Sequence, residues 1–163
     1  MEKLLMQVLA VVLNIGPAGN VEETTVRLDR LPPECSAVYD TAVRKFTRAQ
    51  TTEIITVDMD GDGQKEMLVY NGLNASGGEG WTVMRKREGR WSACGEIFGV
   101  ISFLPHSGRT GLLVESPCGW SYADWSYYEL GKGGLREMFS IGVEYRQPIR
   151  RHPVRITVTE AGK

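Results

Sequence analysis

Hydrophobic and polar positions alternate over most of this chain with the short period of β-strands, and one stretch keeps the longer period of a helix. From Cys35 onward, Cys35, Val38, Tyr39, Ala42, Phe46 and Ala49 recur at three- and four-residue steps, which predicts a helix over about 34–49 with these side chains on one face. Asp40, Arg44, Lys45 and Arg48 fall on the other side. Leu31-Pro32-Pro33-Glu34 supplies the start, because a proline in the first turn lacks only an N–H that would have had no helical partner. Strands are predicted at Glu53–Val57, Met67–Tyr70, Trp81–Met84, Trp91–Phe98, Gly111–Glu115, Trp125–Leu130 and Val154–Thr159, each bounded by turn-forming residues.

The chain also matches itself at a shift of about 44 residues. Leu68 falls on Leu112, Val69 on Leu113, Trp81 on Trp125, Met84 on Tyr128, Gly89 on Gly133 and Trp91 on Leu135. Each copy reads as strand, loop, strand opening with tryptophan, tight turn at glycine, strand. That is the size of a propeller blade, but two copies cannot close a ring and must stack face to face or curl under the helix. The expected fold is therefore α+β and mainly β. An N-terminal helix precedes two propeller-blade-like antiparallel units, about 53–98 and 100–140, packed as a partial propeller or sandwich, with a last strand at about 154–159.

Composition narrows the setting. The 163 residues carry 19 Lys and Arg against 20 Asp and Glu, a net charge of −1, which gives no global basic field, so a nucleic-acid binder relying on counterion release is not expected. Glycine, 19 residues, is over-represented and calls for many tight turns. Met1–Gly19 places Lys3 before an apolar run from Leu4 to Ile15, followed by Gly16-Pro17-Ala18. The run is too short for a stable membrane span and has the shape of a signal peptide, residues 1–19, leaving one domain over 20–163. The expected location is secreted or periplasmic; the other reading is an amphipathic first helix of a cytosolic protein. Three cysteines allow one disulfide in an oxidising compartment, with Cys94 and Cys118 the expected pair and three free thiols the alternative.

Candidate chemistry concentrates in Asp58-Met59-Asp60-Gly61-Asp62-Gly63-Gln64-Lys65-Glu66. Three alternating aspartates in a turn point their carboxylates inward and repel one another unless a cation sits among them. Calcium suits such a set, since it takes six to eight oxygens at loose geometry. The start of the loop matches an EF-hand, but the position of its last, bidentate glutamate is Val69, and the flanks read as strands. The expected ligands are Asp58, Asp60, Asp62 and Glu66 through side chains and Gln64 through a carbonyl. The alternative is an acidic turn whose charges are hydrated.

The segment ITVDMDGDGQKEMLVYNG resembles the calcium loop of FG-GAP and VCBS-type repeats, D-x-D-G-D-G-x-x-D between two strands of a blade. Asp58, Asp60, Asp62 and Gln64 match position for position, and Glu66 replaces the final aspartate. The resemblance covers Ile54 to about Phe98 and more weakly extends to Phe139. In the second copy Ser102, Leu104 and His106 replace the three aspartates, so that copy holds no such site.

Other features are weaker. Asn71–Gly80 is a glycine-rich connection; Trp120, Tyr122, Trp125, Tyr127 and Tyr128 form an aromatic cluster expected to pack the sheet against the helix. Arg85, Lys86, Arg87 and Arg90 surround a hairpin turn and read as a solvated face. The function expected is an exported, calcium-stabilised, non-catalytic module that binds a protein or carbohydrate partner. The alternative is a small secreted enzyme or enzyme inhibitor using the aromatic and glycine-rich loops.

Overall fold

The computed structural model describes residues 21–42, 50–73, 79–106, 108–117, 122–145 and 153–161. The expected signal peptide, the helix face at Phe46 and Ala49, and Cys118, Trp120 and His152 lie outside the described residues. Two five-stranded antiparallel sheets follow one another along the chain, each with its strands side by side in chain order. The first runs β1 (Glu22–Arg27), β2 (Thr51–Val57), β3 (Glu66–Leu73), β4 (Glu79–Arg87) and β5 (Arg90–Phe98). The second runs β6 (Val100–His106), β7 (Arg109–Pro117), β8 (Tyr122–Gly131), β9 (Gly134–Tyr145) and β10 (Pro153–Glu160). Only Gly99 separates β5 from β6, and its N–H returns to the Glu79 carbonyl at 2.8 Å.

Alternation along the strands decides how the sheets meet. Ile55, Val57, Leu68, Trp81, Val83 and Ile97 project from one face of the first sheet. Against them lie Leu112, Val114 and Leu130 of the second, forming the main core. The opposite face of the first sheet is covered by α1 (Pro33–Ala42). There Leu28, Leu31, Cys35 and Tyr39 pack on Ile54, Met67, Val69 and Met84. Both faces of β4 are thus covered, and every residue from Gly80 to Arg85 is buried, the mark of a central strand.

One expectation is corrected. The helix does not lead the domain: β1 precedes it and pairs along β2 from Glu22↔Thr56 to Arg27↔Thr51. The threonines and Val26 of this segment suit an extended edge, and the four-residue stop Leu31-Pro32-Pro33-Glu34 marks only where the helix begins. Cys35 and Tyr39 do face the sheet as the periodicity requires.

The 44-residue shift maps strand onto strand. β3, β4 and β5 align with β7, β8 and β9, and even an irregularity recurs. The pairing of β4 with β5 slips between Val83 and Met84, and that of β8 with β9 slips between the matching Tyr127 and Tyr128. The preceding hairpins differ by one place. Leu68 stands opposite Val83, whereas Leu112 stands opposite Tyr128, one beyond Val83's counterpart Tyr127. A slip of one residue turns every side chain of a strand to the other face. Trp81 therefore lies in the core between the sheets, while Trp125 shares the outer face of the second sheet with Tyr127 and Leu113.

The aromatic cluster consequently packs differently from the expectation. The helix lies on the other sheet, and Tyr127 stacks on Phe139 at 5.2 Å and closes over Leu104 on the outer face of the second. Tyr128, on the opposite side of its strand, packs against the main core and donates to Glu137 at 3.1 Å.

Candidate metal centre

The acidic loop connects β2 to β3 and is folded by its own side chains. Asp58 accepts the N–H of Gly61 at 2.8 Å on one oxygen and that of Gly63 at 2.9 Å on the other. Asp60 accepts from the Asp62 N–H at 3.3 Å, and Asp62 from the Gln64 N–H at 2.7 Å. Such short aspartate-to-backbone bonds hold a turn that apolar residues could not. The result gathers Asp58, Asp60 and Glu66, with one carboxylate oxygen of each within 4.8 Å of the others. Asp62 stands outside that group, and Gln64 is exposed and contributes its N–H to Asp62. Three of the expected ligands thus converge.

Glu66 is the buried member, at 2% exposure. It opens β3, and one oxygen accepts the Met59 N–H at 2.9 Å. Burial pushes its carboxyl above the ordinary range, and the Met59 N–H and the Arg85 guanidinium pull it back. That guanidinium is the residue the sequence reading misplaced. Arg85 is 7% exposed, bonded through Nε to Glu66 at 3.2 Å, through Nη2 to Asp60 and through Nη1 to the Gly131 carbonyl at 3.0 Å. Its neighbours in the run, Lys86 and Arg87, are exposed. The signal lay in parity: Trp81 and Val83 face the core, so Arg85, two further along β4, faces inward as well.

The loop also joins the two sheets. Met59, 1% exposed, is inserted into the core between them. Its carbonyl accepts the Thr110 N–H of β7 at 3.1 Å. Gly61 rests on the turn before β7, where a Cβ would meet the Gly108 carbonyl oxygen at 2.4 Å. Arg85 ties the same loop to Gly131, at the end of β8. Loop and guanidinium together form a charged clasp across the seam of the sandwich.

Chemically the cluster is an oxygen-only donor set, suited to a hard divalent ion and not to zinc. Each carboxylate oxygen that accepts one N–H retains a second lone-pair site, which leaves acceptor capacity for a cation. An entering ion meets Arg85 on two of its three carboxylates. The charge nevertheless stays unbalanced. Arg85 pairs with Asp60 and Glu66 and leaves Asp58 and Asp62 without an ion pair among the described residues, while Lys65 is drawn off to Glu22 at 2.6 Å.

Two thiols lie elsewhere. Cys94 is free, contrary to the expected disulfide with Cys118, and its Sγ donates to the Val83 carbonyl at 3.2 Å. Cys35 is free and fully buried under the helix. Burial pushes each thiol up to about 11. The reactive thiolate is then scarce at neutral pH. Site-resolved alkylation at pH 8 is expected to label both roughly a hundredfold more slowly than an unhindered cysteine. Unfolding in guanidinium should abolish the difference, and rapid labelling of either residue in the native protein would contradict this packing.

Among the described residues no helix is long and apolar enough to cross a membrane. Comparison with protein-family models, curated proteins and solved structures found no match to this chain.

Proposed function

We propose that this chain is a calcium-binding, non-catalytic interaction module of the FG-GAP and VCBS-like type, acting outside the cytoplasm on a protein or carbohydrate partner. The observation that supports it is the convergence of Asp58, Asp60 and Glu66, each offering a carboxylate oxygen within 4.8 Å of the others. In this reading each repeated core, β2–β5 and β6–β9, is a blade-like meander, and the pair is stacked as a sandwich. The ion binds through Asp58, Asp60 and Glu66, with Asp62 and the Gln64 carbonyl completing its shell. It stabilises the clasp and leaves the outer surfaces to the partner. Extracellular calcium modules hold the ion with dissociation constants near roughly 10⁻⁴ to 10⁻³ M. At ten times that constant, mass action adds about 1.4 kcal/mol to folding stability.

Calorimetric titration tests this directly. Calcium is expected to bind one-to-one in that range and to raise the melting temperature relative to EDTA. Asp58→Asn keeps an oxygen for the Gly61 or Gly63 N–H and should lose most of the calcium heat, as should Asp60→Ala. Equal heats from wild type and both variants would overturn the assignment.

A further inference from the structure

Beside the clasp, a cleft of about 620 Å³ opens between the two sheets. Arg85 and Asp60 of the clasp form part of its wall, and four further cations line it: Lys86 and Arg87 at the end of β4, Arg109 at the start of β7 and Lys132 in the turn between β8 and β9. Among the described residues none of the four forms an ion pair. The chain as a whole carries a charge of −1, so this concentration is local and not a reflection of composition.

The cleft is also held in shape. Arg87 donates through Nη2 to the Lys132 carbonyl at 2.8 Å, linking the ends of the two sheets. Arg85 makes the parallel link to Gly131 one residue earlier. Lys86 is poised over the Trp91 ring, 6.0 Å from its centroid. At the rim, Glu88 adopts a positive φ of 50°, a conformation that costs a residue with a Cβ roughly 1–2 kcal/mol. With Gly89 at φ 81° it forms the two-residue hairpin turn that fixes the end of β4 against β5.

From this arrangement we infer that the cleft binds a small ligand bearing two or more anionic groups, carboxylate or phosphate, with Arg87 and Arg109 as its principal donors. Guanidinium groups present paired N–H donors that match both oxyanions. The volume falls in the range of small-molecule sites. An extended polyanion fits less well, because Asp60, Asp62 and Glu88 line the same cleft and would oppose a chain of like charge laid along it. The inference requires no metal and is tested without one.

The test is calorimetric titration of the full chain, stripped of metal and kept in metal-free buffer without chelator, with citrate and, separately, with inorganic pyrophosphate, which distinguishes carboxylate from phosphate preference. Saturable one-to-one binding of at least one probe is expected. Arg87→Gln and Arg109→Gln, both at exposed positions, should each weaken it by about tenfold, the loss of a charge-assisted contact. Arg155→Gln, on β10 and outside the cleft, should leave it unchanged. Circular dichroism would establish that the variants are folded. Absence of saturable binding of both probes, an equal loss in Arg155→Gln, or binding of heparin alone would each overturn the proposal.

Discussion

Arg85→Ala is expected to destabilise the protein by about 3–5 kcal/mol, read from chemical denaturation midpoints. The size follows from where the guanidinium sits. It is buried, and its removal leaves Glu66, 2% exposed, as an uncompensated charge beside Asp60. The Gly131 carbonyl loses its donor at the same time, so one of the ties between the sheets is cut. A double variant, Arg85→Met with Glu66→Leu, should recover a large part of the loss, since both buried charges are then gone. A cost below about 1 kcal/mol for Arg85→Ala, typical of exposed pairs, would show that the guanidinium does not lock the seam. The exposed pair Arg27–Asp29 supplies the internal reference for that lower value.

Gly61→Ala is expected to cost about 2–5 kcal/mol by the same measurement. Two terms combine. The residue sits at φ 77°, where a Cβ costs roughly 1–2 kcal/mol, and that Cβ would lie 2.4 Å from the backbone oxygen of Gly108. Backbone cannot step aside as a side chain can, so the loop or the turn must move, at an overpacking cost of about 1–3 kcal/mol. Gly63 separates the terms: its φ is 85°, and a Cβ there would meet nothing within 4 Å. Gly63→Ala should therefore show the conformational cost alone. Equal effects at the two positions would mean that the loop does not press on the second sheet.

Much of this architecture was legible in the chain. The helix start at Pro33 and the strands around Ile54, Leu68, Val83 and Leu112 announced themselves through period and turn residues. These signals are local, each carried by residues a few places apart. The acidic turn was equally plain, because aspartates and glycines at alternating positions dictate its hydrogen bonds to its own backbone. Convergence of Asp58, Asp60 and Glu66 follows from that curl together with the pairing of Val57 with Glu66.

What escaped the reading depends on distant contacts. β1 carries exposed, polar residues with little pattern, and becomes a strand because β2 offers it an open edge. Arg85 looked like one cation in a solvated run, and only the arrival of the second sheet over that face buries it between Glu66 and Gly131. The two matching tryptophans end in different places because the hairpins that hold them differ by one residue in register. Register is set by pairing across a hairpin and by the surface waiting beneath it, and a residue's own neighbours do not encode it.

By itself, then, the order of amino acids determined the strands of clear period, the start of the described helix and the carboxylate-rich turn, since each is fixed by steric and hydrogen-bonding preferences within a short segment; β1, β6 and β9 were not among them. Only the tertiary structure decided that the turn closes over a neighbouring sheet and that an arginine from β4 completes it. Those outcomes arise from burial, which requires surfaces far apart in the chain to meet before a charge can be drawn out of water.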